Sequence, residues 1–154
     1  MKLITVVDED FIQYKKPSMF LIFPKCSMKC GKKCQNKELL NSEPIDVNID
    51  NLIERYKSNP ITSAVVCGGL DPFDSWDDLQ CFIMNFRYYC PDDIVIYTGY
   101  TEEELKKYLP WLSVYENIII KFGRYVSGQK PHYDDILGVD LASDNQYAEV
   151  ISDV

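Results

Sequence analysis

Three cysteines, Cys26, Cys30 and Cys34, lie within the nine residues from 26 to 34. Cysteine thiolates are soft ligands that favour iron-sulfur clusters or zinc. A loop this short can place all three thiols around one compact centre, and Gly31 eases the tight backbone path. A 4Fe-4S cluster held by three cysteines leaves one iron open to a small molecule. The count of three therefore favours a catalytic cluster over a passive electron carrier.

Two other interpretations of this loop remain open, namely a zinc site and thiols that bind no metal. A structural zinc site normally has four protein ligands. The fourth would have to be Cys67, Cys81, Cys90 or His132, none of which lies in a paired ligand spacing. For these three other cysteines we expect a place in the hydrophobic core, because an isolated cysteine on a strand end or helix face behaves as a small apolar side chain.

The cysteine loop follows one of several short apolar runs that predict β-strands. The predicted strands span residues 3–7, 19–23, 61–67, 94–97 and 118–121. Apolar residues at helical spacing predict three helices between them, each begun by a residue that can cap a helix amino terminus. The predicted helices span 50–58, 75–89 and 101–108, and begin with Asp50, Ser75 and Thr101.

Strands that alternate with helices and read as continuous apolar runs are typical of parallel sheets covered by helices. The sequence therefore predicts an α/β fold. Five or six strands are too few for a complete eight-stranded barrel, which typically needs about 250 residues. We expect residues 1–154 to form one domain, in which a parallel sheet forms an open or partial (β/α) barrel.

Charge and composition argue against several functional classes. The formal net charge is -8 and the sequence pI is about 4.6, so the average surface repels nucleic acid. The apolar run before Asp8 has about five residues, too few for a signal-peptide core or a membrane span. We expect a cytoplasmic protein with no nucleic-acid or membrane partner, whose cysteines stay reduced.

The order of a strand, a three-cysteine loop and a later strand ending in Gly-Gly resembles the radical S-adenosylmethionine superfamily. More closely, residues 66–73, 96–101 and 142–146 are similar to those of anaerobic ribonucleoside-triphosphate reductase activating proteins. This resemblance covers residues 20–146. It implies a 4Fe-4S cluster held by the three loop cysteines.

The cysteine spacing departs from that family. Its usual pattern is CxxxCxxC with an aromatic residue before the third cysteine, whereas this chain has CxxxCxxxC with Lys33 at that position. Cys34 is followed by Gln35 and Asn36, which is similar to the family's ending of the loop. We therefore retain Cys34 as the third expected ligand.

The resemblance also implies a site for S-adenosylmethionine. The family's Gly-Gly-Glu-Pro stretch, which receives the amino group of that cofactor, corresponds to Gly68, Gly69, Asp71 and Pro72, with Leu70 inserted. Glycines let a backbone approach a ligand closely, and Asp71 would complement the ammonium charge. The other implied contacts are Thr98 and Gly99 at a strand end, and Asn145 and Gln146 near the end of the sequence.

By this resemblance, the protein is expected to cleave S-adenosylmethionine reductively to a 5'-deoxyadenosyl radical that abstracts hydrogen from a substrate. The implied partners are a large glycyl radical enzyme, such as anaerobic ribonucleotide reductase, and an electron donor such as flavodoxin or ferredoxin. Two alternatives are a radical enzyme acting on another peptide or a small molecule, and a non-catalytic iron-sulfur or zinc binding module. We expect the turn-rich segment 121–133 to be an exposed loop that holds a partner protein.

Overall fold

The computed structural model describes residues 1–27 and 37–151. Its strands are β1 (Lys2–Leu3), β2 (Thr5–Asp10), β3 (Ser18–Phe23), β4 (Ile45–Asp46), β5 (Ala64–Gly69), β6 (Asp93–Tyr97), β7 (Ile118–Phe122), β8 (His132–Asp134), β9 (Val139–Leu141) and β10 (Tyr147–Val150). Its helices are α1 (Ile49–Lys57), α2 (Trp76–Tyr89) and α3 (Leu109–Leu112), and two 3-10 turns span Lys37–Asn41 and Pro72–Ser75.

Six of these strands form the central sheet, in the order β10-β7-β6-β5-β3-β2. The four inner strands are parallel, whereas β2 and β10 run antiparallel to their neighbours at the two edges. Inner parallel strands are buried on both faces, which explains continuous apolar sequences such as residues 19–23 of β3. The sheet does not close into a barrel, so the predicted α/β fold with an open or partial barrel is confirmed.

The two faces of the sheet are covered differently. On one, which we call the helix face, strand residues such as Leu21 pack against buried residues of α1, α2 and α3. On the other, the hairpin face, Val66 and Val95 pack against Tyr14 and against Leu141 of the β8–β9 hairpin. Each inner strand lies beside the next one in sequence, so every right-handed crossover places its helix on the same face. The hairpin face is thereby left to loops and the hairpin.

The helix predicted over residues 101–108 is wrong. Thr101 and Glu104 do form a capping pair, with their backbone nitrogens 3.1 and 3.2 Å from each other's side-chain oxygen. The chain from 102 to 108 nevertheless forms turns. The backbone hydrogen bonds here mix two spacings, since Leu105 donates to Thr101 four residues back whereas Tyr108 donates to Leu105 three residues back, and a regular helix begins only with α3.

Three smaller expectations also need correction. The predicted strand 3–7 is divided between β1 and β2. Asn48, and not Asp50, caps α1, since its Oδ1 accepts a hydrogen bond from the backbone of Asn51 at 3.0 Å. Cys81 is exposed on α2 rather than in the core, whereas Cys67 is fully buried as expected and Cys90 is half-buried.

In the described part of the chain, the helices are too short or too polar to cross a membrane.

Candidate functional site

A cavity of about 430 Å³ lies at the edge where the carboxyl ends of the parallel strands meet. Open α/β sheets bind their ligands at this edge. Most of the predicted site residues lie in the cavity wall, namely Cys26, Gly68, Gly69, Asp71, Thr98, Gly99 and Gln146. Pro72 and Asn145 lie outside this wall, and Cys30 and Cys34 fall outside the described residues.

Cys26 is half-buried, and the peptide groups on both sides of it are held by the turn that follows β5. The backbone N–H of Asp71 donates to the carbonyl of Lys25 at 2.8 Å. The backbone N–H of Ser27 donates to Oδ2 of Asp74 at 2.7 Å. The first predicted ligand is therefore fixed in the cavity wall by Asp71, which the sequence assigned to the cofactor site, and by Asp74, which it did not.

Gly69 occupies a position that excludes any side chain. Its φ of 82° lies in the left-handed region, and a Cβ atom there would stand 2.4 Å from Cγ2 of Ile22. At the neighbouring Gly68, a Cβ atom would stand 3.1 Å from the ring of Phe20. The end of β5 thus presents bare backbone to the cavity, as the close approach of a ligand requires.

Asp71 is a buried acid, 3% exposed, that links the ends of β5 and β6. Its carboxylate accepts hydrogen bonds from the hydroxyl of Thr98 at 2.9 Å and from the backbone of Gly99 at 2.9 Å. It also caps the 3-10 turn by accepting from the backbone of Phe73 at 3.1 Å. Burial raises the pKa of Asp71 to about 6, although these hydrogen bonds oppose the rise.

Pro72, the first residue of that turn, is buried, and its fixed φ angle suits the start of the turn.

Lys121 is a buried cation in the cavity wall that sequence reasoning missed as a site residue. It is 7% exposed, and its Nζ donates to the carbonyl of Gly123 at 2.8 Å. Burial lowers the pKa of Lys121 to about 8, and the negative charge of Asp71 opposes this. The expectation of an exposed loop beginning at residue 121 is therefore wrong for Lys121 and for the fully buried Phe122. The sequence did contain a signal for the burial of Lys121, because this lysine continues the apolar run of β7 two residues after Ile119.

Gln146 and Asn145 have different positions although they are adjacent. Gln146 is buried, and its side-chain amide donates to the same Gly123 carbonyl at 3.1 Å. Asn145 is exposed and donates to the carbonyl of Arg124 at 2.8 Å, so it supports the loop that carries part of the wall. His132, to which no role was assigned, lies 2.7 Å from the carbonyl of Gln146 and connects the hairpin to this loop.

The donor chemistry of the cavity fits a sulfur-ligated centre, since a cysteine thiol stands in its wall. Cys67 packs on the helix face, and Cys90 precedes β6 at the opposite edge of the sheet. Of the cysteines in residues 1–27 and 37–151, therefore, only Cys26 lines the cavity. Within the same ranges, no three His, Cys, Asp or Glu side chains form a possible metal site.

Comparison with known proteins gives one positive result. No curated protein and no solved structure matches the sequence significantly. A family model described as a 4Fe-4S single cluster domain matches residues 17–140, a range that contains the cysteine loop, the Gly68–Gly69 edge and Lys121. The match covers well over half of the 154 residues. The chain therefore belongs to the 4Fe-4S single cluster domain family, an iron-sulfur family.

Proposed function

We propose that this protein is a radical S-adenosylmethionine enzyme that holds a 4Fe-4S cluster with Cys26, Cys30 and Cys34. The observation that carries this proposal is one cavity that contains the Cys26 thiol, the bare end of β5 and two buried side chains of opposite charge, Asp71 and Lys121. Membership in the family supports it, since this domain is found in radical S-adenosylmethionine proteins. When bound, the reduced cluster supplies the electron that cleaves S-adenosylmethionine to methionine and a 5'-deoxyadenosyl radical.

The charges of the cavity complement the methionine part of S-adenosylmethionine, which carries an ammonium and a carboxylate. At neutral pH, Asp71 is mostly ionised, because its pKa of about 6 lies below 7, and it offers an anion to the ammonium. Lys121 is mostly protonated, because its pKa of about 8 lies above 7, and it offers a cation to the carboxylate. Both groups are buried, so solvent and salt screen these charges weakly.

The wall also offers flat apolar surface for a purine. Phe20 and Tyr125 line the cavity, as does Tyr97 on β6. Lys33 replaces the aromatic residue that the related family uses near the adenine. We assign the adenine contact to this aromatic part of the wall, because the face of a nucleobase stacks favourably on an aromatic ring.

A glycyl radical enzyme is the proposed hydrogen donor, and flavodoxin or ferredoxin the proposed source of the electron. Support comes from the turn between β2 and β3, where Phe11 and Ile12 are 64% and 74% exposed. Ile12 also lines the cavity, so an apolar surface lies at its rim. Exposed apolar surface of this kind is typical of sites where proteins meet.

The first test is anaerobic reconstitution with iron and sulfide. We expect about four irons per chain, as a cluster with three cysteine ligands requires. Cys26→Ala should abolish cluster binding, whereas Cys81→Ala, which changes an exposed cysteine on α2, should not. Addition of S-adenosylmethionine should change the electron paramagnetic resonance spectrum of the reduced protein and yield 5'-deoxyadenosine. Zinc, or an unchanged spectrum, would instead indicate a binding module without catalysis.

The second test concerns the target. A partner deuterated at glycine should transfer its label into 5'-deoxyadenosine, because the radical abstracts hydrogen from that carbon. Label that arrives only from a peptide or small molecule, and not from the glycyl radical enzyme, would refute the proposed partner while leaving the radical chemistry intact.

A further inference from the structure

Asp74 joins three loops at the carboxyl edge of the sheet. It lies in the 3-10 turn after β5, and its Oδ1 accepts a hydrogen bond from the hydroxyl of Tyr100, after β6, at 2.6 Å. Its Oδ2 accepts from the backbone N–H of Ser27, after β3, at 2.7 Å. The hydroxyl of Ser27 lies 3.1 Å from Oδ2 and 2.9 Å from the hydroxyl of Tyr100.

The donors and acceptors in this group are matched. Ser27 brings a backbone N–H and one O–H, and Tyr100 brings one O–H, so three protons point toward an acceptor-only carboxylate or toward each other's oxygen. Burial, and next the hydrogen bond to Asp74, raise the pKa of Tyr100 to about 12, so its hydroxyl keeps its proton. The backbone N–H of Tyr100 donates to the hydroxyl of Thr98 at 3.1 Å, which connects this group to Asp71.

The position of this group matters because Ser27 directly follows Cys26. With the Lys25 carbonyl held by Asp71 and the Ser27 N–H held by Asp74, the backbone around the thiol is tied on both sides. The Ser27 N–H is the first backbone donor that follows Cys26 in the sequence. In the structure it points to a carboxylate.

We propose that Asp74 is a positioning residue for the cluster, which fixes the amino end of the cysteine loop and withholds the Ser27 N–H from the Cys26 sulfur. This inference rests on the proposed function, because it takes Cys26 as a cluster ligand. Hydrogen bonds to cluster sulfurs and the net charge around a cluster both tune its reduction potential. A carboxylate close to the cluster and the absence of an N–H bond to a cluster sulfur act in the same direction. Both make the reduction potential of the cluster more negative.

The test compares the reconstituted wild type with Asp74→Ala and Asp74→Asn. Alanine removes the acceptor, so iron loss to a chelator should become about tenfold faster, the effect of one lost charge-assisted hydrogen bond. Asparagine retains a carbonyl acceptor for the Ser27 N–H but lacks the charge, so its iron loss should stay close to that of the wild type. Both variants should have a more positive midpoint potential, because both lack the anion.

Asp77→Ala is the matched control, since it removes an exposed acid three residues further along the same segment. Its iron retention and midpoint potential should equal those of the wild type. Tyr100→Phe removes one donor to Asp74 and should show intermediate iron loss. Should Asp74→Ala fail to fold, Asp74→Asn and Tyr100→Phe decide the question.

The outcomes separate this inference from the proposed function. Wild-type protein that takes up no cluster overturns both. Loaded wild type together with Asp74 variants of unchanged iron loss and unchanged potential overturns the positioning role alone. Altered iron loss and potential in Asp77→Ala to the same degree would also refute it, because the effect would then be one of general charge.

Discussion

Replacing Asp71 with Asn should flatten the pH dependence of the protein's stability. The pKa of Asp71 is about 6 in the folded protein, against 3.8 as its ordinary value. Between these two pH values the folded state holds a proton that the unfolded state has released. The free energy of unfolding must therefore fall as pH rises through this window, and must stay constant above it as far as Asp71 is concerned.

The size of this effect follows from the two pKa values. One pKa unit corresponds to about 1.4 kcal/mol, so the whole window from 3.8 to about 6 contributes about 3 kcal/mol. Acidification from pH 7 only to pH 4.5 protonates fewer of the other carboxylates than a lower pH would. Over this range about 2 kcal/mol of the effect should appear. The assay is urea denaturation of the metal-free protein at both pH values, followed by the fluorescence of the packed pair Trp76 and Trp111.

The measured quantity is the difference between wild type and Asp71→Asn at each pH, because the other acids contribute equally to both proteins. Wild type should gain about 2 kcal/mol relative to the variant on acidification. Thr98→Val is the control: it removes one hydrogen bond to the carboxylate but keeps the acid, so its pH dependence should persist. A difference that stays constant between pH 7 and pH 4.5 would refute the assignment of a raised pKa to Asp71.

Other expected outcomes concern backbone, cofactor and thiol chemistry. Gly69→Ala should lower the free energy of unfolding by about 2–5 kcal/mol in urea denaturation, through left-handed strain plus overpacking. Gly128→Ala, with a φ of 89° and open space around it, should lose only about 1–2 kcal/mol. Lys121→Met should weaken S-adenosylmethionine binding about tenfold or more in a calorimetric titration, and unchanged affinity would exclude Lys121 from the carboxylate contact. A thiol reagent followed by peptide mapping should label Cys81 rapidly and Cys67 only on unfolding, because burial raises the pKa of the Cys67 thiol and shields it.

The features that sequence predicted best are those with local signals. Continuous apolar runs identified β3, β5, β6 and β7, and the polar or glycine residues that follow them include several that line the cavity, such as Gly69, Asp71 and Thr98. Parallel strands bring such ends to one edge whatever the details of the loops. That Cys26 and Gly69 line the same cavity could therefore be inferred without coordinates.

Other features depend on tertiary pairing and had no local signal. The strands β8, β9 and β10 have mixed polar sequences and find their places only through partners. The inward direction of Lys121 depends on the register of β7 against β6, where it lies beside Tyr97. The bonds of Asp74 to two other loops connect residues 26 and 47 positions away, which no periodicity reveals.

The antiparallel strand β2 at the edge of the sheet also affects how copies of the protein meet. An edge strand presents unpaired backbone groups that can pair with the same edge of a second copy. Here β2 ends in three consecutive acids, Asp8, Glu9 and Asp10, and the whole sequence has a net charge of -8. Asp8 is paired with Arg55, but Glu9 and Asp10 remain negative, so two such edges repel each other at neutral pH. The acids that make β2 a poor apolar strand therefore protect the sheet against edge-to-edge aggregation.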